Sequence, residues 1–214
     1  YAAFFGSMQI FKYLCLNNVH ITSLIWPYSI HGRNPDIIHS IEEYKIMPID
    51  QTYKQCFYDS VKCHHNEIAN YFLNNKLNEI KNEILIIGIK SYNFEYFPIK
   101  ELKECEFYFA CKYNNLFLTK YILENFDIDI NNYFADGNYI NQTALNVAIK
   151  ERHNDIVKYL ISNENIDINK KTVFLVDGIS DETRITYEKI NNPLLIAVEN
   201  EDEEIVKLLL SHPN

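Results

Sequence analysis

One pattern of side chains recurs six times along the 214 residues and restricts the fold more than any other feature of the chain. Each copy is centred on an apolar residue, here called the anchor. The anchors are Ile10, Ile37, Ile68, Leu118, Ile156 and Ile205. A small residue stands eight positions before every anchor, and apolar residues stand seven before and four after it. Agreement at several independent positions indicates a repeated structural unit.

The spacing within one copy predicts two helices joined by a turn. Leu145 and the small Ala148 are three residues apart, so they share one face of a first helix. The anchor Ile156 and Leu160 are four apart and form the apolar stripe of a second helix. The polar stretch Glu151–Asp155 between them is the turn. Because one such pair is too small to bury its own apolar face, the pairs must stack on their neighbours.

Successive anchors are 27, 31, 50, 38 and 49 residues apart, and the two longest spacings predict two insertions. In the first, Asn82–Phe94 predicts an additional helix that leads into an aromatic loop. The loop residues are Phe94, Tyr96, Phe97 and Pro98. In the second, Thr172–Val176 and Arg184–Tyr187 contain many β-forming residues and predict a long β-hairpin, with a disordered loop as the alternative.

The pattern divides the chain into three parts. Residues 1–75 hold three degenerate helical repeats, the first of them truncated, and residues 76–100 hold the helical insertion and the aromatic loop. Residues 101–214 hold three clearer repeats with the hairpin insertion near 171–190. The predicted fold is mainly α: an elongated solenoid of stacked helix-turn-helix repeats with one or two β-hairpin insertions.

The charge is concentrated in the second half. Residues 1–100 carry nine basic and nine acidic side chains, whereas residues 101–214 carry eleven and twenty and so supply the whole net charge of −9. An acidic surface repels phosphate backbones, which argues against nucleic acid as a partner. It fits a protein partner with a basic face, or else an excess of charge that only maintains solubility.

The cysteines indicate a compartment. Five cysteines without framework spacing are typical of free thiols in a reducing environment, so we expect a cytoplasmic protein. The sequence contains no run of 18 apolar residues, so it predicts no membrane span.

The most metal-like cluster is Cys56 with Cys63, His64 and His65, but no C-x-x-C or H-E-x-x-H motif completes a four-ligand set. No phosphate-binding loop or nucleophile signature is present either, and we expect no metal, no cofactor and no catalysis.

The repeated unit resembles the ankyrin repeat. Thr143–Asn146 (TALN) resembles the T-P-L-H element of that family, and Asn192–Leu195 (NPLL) is a weaker copy. Asp129–Asn131 and Asp167–Asn169, both DIN, resemble the D-V-N element that leads into the family's β-hairpin. The resemblance is specific over 101–214 and degenerate over 1–100, where Trp26-Pro27 stands in place of Leu-His.

The chain also resembles a divergent set of ankyrin proteins expanded in parasitic protists. Three stretches carry this resemblance: Lys62–Tyr71 (KCHHNEIANY), Tyr92–Pro98 (YNFEYFP) and Cys111–Asn115 (CKYNN).

The resemblance implies a protein-binding module or scaffold, without catalysis, whose concave face consists of hairpin tips and the exposed side of the first helices. The position nine before each anchor should point to that face. It holds Tyr1, Tyr28, Asp59, Phe109, Val147 and Ile196. Packing of these side chains against an adjacent hairpin is the alternative. The hairpin at 172–187 and the loop at 94–98 would extend the contact. The alternative function is a regulatory or targeting segment of a larger enzyme, for example a kinase, whose catalytic domain lies outside this chain.

Overall fold

A computed structural model describes residues 1–77, 80–97, 102, 104–136, 139–180 and 183–213. The chain forms two compact units, residues 1–97 (unit 1) and 98–214 (unit 2). The described residues contain twelve α-helices and four strands. The predicted fold class, a mainly α repeat solenoid, is confirmed.

Unit 1 is built of helical pairs. Its helices are α1 (Met8–Leu16), α2 (Ile25–His31), α3 (Pro35–Glu43), α4 (Lys54–Lys62), α5 (Asn66–Asn75) and α6 (Lys81–Lys90), followed by a 3-10 turn at Phe94–Tyr96. The first helices α2, α4 and α6 pack side by side, and α2 and α4 also contact their own second helices, α3 and α5. The anchors Ile37 and Ile68 are buried, as the spacing predicts.

The first anchor is an exception. Ile10 is 55% exposed, although the spacing placed it in a buried stripe. The side chain of α1 that enters the core is the next residue, Phe11. The expectation that the Ile10 face of α1 is buried is therefore wrong, because α1 turns Phe11 and not Ile10 toward the core.

Unit 2 is also built of helical pairs, with its first helices in one row and its second helices in another. Its elements are α7 (Glu104–Lys112), α8 (Leu116–Asn125), β1 (Phe134–Asp136), β2 (Tyr139–Gln142), α9 (Ala144–Lys150), α10 (Asn154–Ile161), β3 (Thr172–Ser180), β4 (Thr183–Asn191), α11 (Pro193–Glu199) and α12 (Glu203–Ser211). The first helices α7, α9 and α11 contact in sequence, and so do the second helices α8, α10 and α12. Consecutive helical pairs are thus spatial neighbours, as stacking requires.

The strands of unit 2 form one antiparallel sheet in the order β1-β2-β3-β4. β3 and β4 are the predicted hairpin and pair over nine positions, from Thr172 with Asn191 to Ser180 with Thr183. β2 joins the two hairpins by pairing with the beginning of β3, where Asn141 lies opposite Val173. Sheet pairing between hairpins therefore adds to the helix contacts between successive repeats.

Each inter-helix turn contains one left-handed residue. It stands four positions before the anchor in all six copies: Gly6, Arg33, His64, Asn114, Arg152 and Glu201, with φ between 52° and 64°. Only the first of these residues is glycine, the residue that adopts this conformation without steric cost. The next residue begins the second helix as its N-cap. In three repeats this residue is Asn34, Asn115 or Asp202, whose side chain accepts from a backbone N–H group.

The segment 76–100 contains the additional helix predicted at Asn82–Phe94, which is α6 (Lys81–Lys90), and it also shares features with the repeats. Tyr92 is left-handed, with φ of 54°, and the side chain of Asn93 caps the 3-10 turn. Tyr96, four residues after Tyr92, is buried at the position of an anchor, and the small Gly88 stands eight before it. A Cβ atom on Gly88 would lie 3.0 Å from the Cβ atom of Tyr96, so the site requires a small residue. We infer that α6 is the first helix of a further repeat whose second helix is shortened to one turn. Pro98, predicted to mark a new start, lies outside the described residues.

Candidate protein-binding surface

The expected binding residues fall into two groups. Tyr28 on α2 is 53% exposed, and Asp59 on α4 and Phe109 on α7 are partly exposed. Tyr1 is fully exposed in the turn before α1. These four side chains have the accessibility that a contact surface requires.

Val147 and Ile196 are core residues, and the expectation that they form a binding surface is wrong. Their side chains are only 1% and 6% exposed. Two hydrogen bonds join these first helices to the segments around the hairpin. Asn146 Nδ2 on α9 donates to the carbonyl oxygen of Lys170 at 3.2 Å, and Asn191 Nδ2 at the end of β4 donates to a carboxylate oxygen of Glu199 on α11 at 3.2 Å. The burial of Val147 and Ile196 favours the alternative, in which these side chains pack against an adjacent hairpin.

In unit 1 the first helices border a groove. The loop between α3 and α4 folds back over α2, and it is fixed there by the 2.9 Å hydrogen bond from Trp26 Nε1 to the carbonyl oxygen of Ile46. The groove lies between this loop and the first helices, and its lining includes Trp26, Asp50 and Asp59. The sequence pattern did not predict this groove. Its available signal was Trp26-Pro27, an unusual pair at the position where the ankyrin pattern has Leu-His.

In unit 2 the accessible first-helix residue belongs to an aromatic cluster. The Phe109 ring stacks on Tyr113, with centroids 6.1 Å apart and planes 11° apart. The neighbouring Tyr108 is buried, stacks on Phe134 of β1 and donates its hydroxyl to Gln142 Oε1 at 2.5 Å. The contacts of Tyr108 thus hold this part of α7, including Phe109, beside the β1–β2 hairpin.

An acidic run, Glu199–Glu204, extends from the end of α11 through the turn to the beginning of α12. Part of it is paired: Glu204 lies 2.7 Å from Lys158 Nζ, and Glu203 lies 3.3 Å from Lys207 Nζ. Exposed pairs of this kind contribute little to stability. The carboxylate of Glu201 is exposed. The turn therefore presents a negative surface.

The residues of the cysteine–histidine cluster have separate structural roles. His65 Nδ1 lies 2.8 Å from the carbonyl oxygen of Ile30, so that nitrogen is occupied. Burial, followed by the negative charges of Asp50 and Asp59, raises the pKa of the Cys56 thiol far above its usual range. Within the described residues, no three His, Cys, Asp or Glu side chains are grouped to hold a metal ion.

The aromatic loop is mostly core. Tyr96 and Phe97 are buried, and Phe94, which is partly exposed, packs its ring 5.2 Å from that of Phe97. The expectation that this loop extends the contact is therefore limited to Phe94 among its described residues. The side chains of residues 174–180 and 183–189 in the β3–β4 hairpin lie outside the described part of the chain, so a contact through the hairpin at 172–187 stays a prediction.

Comparison with known proteins agrees with this geometry. Residues 99–172 match the family model for ankyrin repeats in three copies, and residues 190–214 match the model for a single ankyrin repeat. No curated protein matches the chain closely enough to serve as a relative. Among the described residues, no helix is long and apolar enough to cross a bilayer. Residues 99–172 and 190–214 of this chain therefore resemble ankyrin repeats.

Proposed function

We propose that the chain is a non-catalytic interaction module that binds a protein through the exposed side of its first helices. The exposure of Tyr28 carries the proposal. Its neighbours Trp26, Ser29 and Ile30 on α2 are all buried, whereas this large aromatic side chain is 53% exposed. Tyrosine at the centre of a contact contributes strongly to binding energy because it buries a large, rigid surface. Ankyrin repeats are generally protein-interaction modules.

The partner that we propose has a basic face. The acidic excess of residues 101–214 supports this, as do Asp50 and Asp59 at the groove of unit 1. Opposite charges on two partners accelerate encounter and orient the complex. We expect association to slow as salt concentration rises, since exposed charges are screened beyond about 8 Å at physiological ionic strength.

The state of the buried thiols supports binding rather than catalysis. Cys111 is fully buried, and burial raises the pKa of its thiol to about 12. A thiol with this pKa is protonated at neutral pH and is a poor nucleophile. The five free cysteines support a reducing compartment such as the cytoplasm. The three stretches noted above support a place among the divergent ankyrin proteins of parasitic protists.

Two substitutions test the proposal against a matched control. Once affinity capture with the intact protein has identified a partner, binding is measured by calorimetry with purified components. Tyr28→Ala and Phe109→Ala should each weaken binding at least tenfold while helical content, measured by circular dichroism, is unchanged. Tyr13→Ala removes another tyrosine that is 66% exposed, on the second helix α1, and should leave binding unchanged. If the two variants bind normally, or if both unfold and thereby prove to be core positions, the proposal is wrong.

A further inference from the structure

The groove of unit 1 contains a cavity of about 270 Å³ between α2, α4 and the loop that precedes α4. Since one water occupies about 30 Å³ of liquid, the cavity has room for a long side chain. Its apolar walls include Trp26, Pro27, Pro48 and Ile49, and two carboxylates, Asp50 and Asp59, also line it. The cavity therefore combines apolar walls with negative charge.

The carboxylate of Asp50 keeps its charge. Burial alone would raise its pKa, but hydrogen bonds from the Thr52 hydroxyl at 2.5 Å and from the Gln55 backbone N–H at 3.2 Å hold the pKa below its usual value. Both donors are neutral, so they do not cancel the charge. The other oxygen of Asp50, Oδ1, is covered and has no hydrogen-bond donor in the part of the chain that the structure describes.

The carboxylate of Asp59 is partly accessible, with 23% of its side chain exposed. Its Oδ1 accepts from Gln55 Nε2 at 2.8 Å and lies 3.6 Å from Lys62 Nζ. No described residue donates to Oδ2. Among the cavity-lining residues of the described chain there is no Lys, Arg or His, so the two carboxylates are not neutralised from within the cavity.

We propose that this cavity receives an arginine side chain of the protein partner. The proposal rests on the binding function proposed above and names the chemistry that the first-helix face of unit 1 recognises. The aliphatic stem of the arginine packs against Pro27, Pro48 and Ile49, and its guanidinium group donates to Asp59 in the field of Asp50. Arginine fits better than lysine, because its planar guanidinium matches a carboxylate and packs against apolar and aromatic surfaces.

Trp26 makes the cavity directly observable. It is the only tryptophan of the chain and one of the residues that line the cavity, so intrinsic fluorescence is the readout for occupation of this site. The probes are three blocked amino acids: N-acetyl-arginine amide, its neutral isostere N-acetyl-citrulline amide, and N-acetyl-norleucine amide. We expect a saturable change in fluorescence with the arginine probe in the millimolar range, and at least fivefold weaker responses with the other two.

Substitution of the carboxylate provides the second arm. Asp59→Asn should weaken binding of the arginine probe at least fivefold. Asp36→Asn, which removes an exposed carboxylate at the beginning of α3, should leave it unchanged. Equal responses to arginine and citrulline, no saturable response, or unaltered binding by the Asp59→Asn protein would overturn the proposal.

The two proposals can fail separately. If Tyr28→Ala abolishes partner binding but the cavity does not respond to arginine, the binding face stands and its arginine pocket is refuted. If the cavity binds arginine selectively but neither Tyr28→Ala nor Phe109→Ala affects the partner, the pocket stands and the proposed function of the face is wrong.

Discussion

His153 Nδ1 lies 2.9 Å from the backbone carbonyl oxygen of Cys111 in the preceding repeat. A carbonyl oxygen can only accept, so Nδ1 carries the hydrogen and donates. His65 Nδ1 and the carbonyl oxygen of Ile30 have the same relationship at 2.8 Å. In both cases the donor stands three positions before an anchor, and the acceptor stands seven before the previous anchor. One hydrogen bond thus joins equivalent points of neighbouring repeats.

This bond predicts the effect of removing the imidazole. His153→Ala should lower the free energy of unfolding of unit 2 by about 1–3 kcal/mol, because a covered carbonyl loses its donor. His153→Asn should cost less, since Asn93 Nδ2 donates to the carbonyl oxygen of Val61 at 3.0 Å from the corresponding position. Urea denaturation followed by circular dichroism measures both changes. Equal losses for the two variants would show that imidazole packing, and not the hydrogen bond, matters.

The left-handed turns predict a stabilising substitution. Arg33 is exposed and has a φ of 52°, a conformation in which a side chain is strained. Arg33→Gly should raise the free energy of unfolding by about 0.5 kcal/mol, because relief of the strain exceeds the entropy that glycine adds to the unfolded chain. Arg33→Ala keeps the strain and serves as the control. A glycine variant no more stable than the alanine variant would contradict the prediction.

The small first-helix residue of each repeat predicts that a larger side chain at this position destabilises the fold. Ala148 is fully buried on α9, which contacts first helices on both sides, α7 and α11. Ala148→Leu should destabilise unit 2 by about 1–3 kcal/mol through overpacking. The same substitution at Ala135, an exposed residue of β1, should have little effect on thermal unfolding. If both variants melt at the same temperature, the helices are not closely packed at this position.

The buried thiol of Cys111 predicts a pH dependence. Burial raises its pKa from 9.0 to about 12, whereas the unfolded thiol ionises near 9. Stability from this group is therefore complete below pH 9 and is lost between pH 9 and 12, at up to about 1.4 kcal/mol per pH unit. The stability advantage of the natural protein over a Cys111→Ala variant should shrink between pH 8 and pH 10.5, measured by urea denaturation. An advantage that is constant over this range would refute the assignment.

Periodicity was sufficient to predict the helical pairs, because the small residue and the anchor must both be buried wherever repeats stack. It was not sufficient to predict which first-helix positions are exposed. Val147 and Ile196 have the same spacing as Tyr28, yet they are buried. The sequence of a long hairpin indicates which residues form strands, but it does not indicate which helix the hairpin packs against. The groove at Trp26 was also beyond prediction, because it depends on how the loop before α4 folds back.

The sequence pattern did not predict the further repeat that we infer at Tyr96. All six predicted anchors are Ile or Leu, whereas here an aromatic residue stands at that position and the second helix is a single 3-10 turn. The small Gly88 eight residues earlier was the available signal. The Asn93 bond to Val61 makes the correspondence visible, since it repeats the link seen at His65 and His153.

We expect a protein partner to contact the first helices and not the second helices. A photo-reactive amino acid that replaces Tyr28 or Phe109 tests contact with the first helices. The same amino acid in place of His39 or Phe117 tests contact with exposed positions of the second helices α3 and α8. After irradiation of the intact protein with its captured partner, cross-links should form from positions 28 and 109 and not from 39 and 117. Cross-links to the partner from positions 39 and 117 alone would contradict the account.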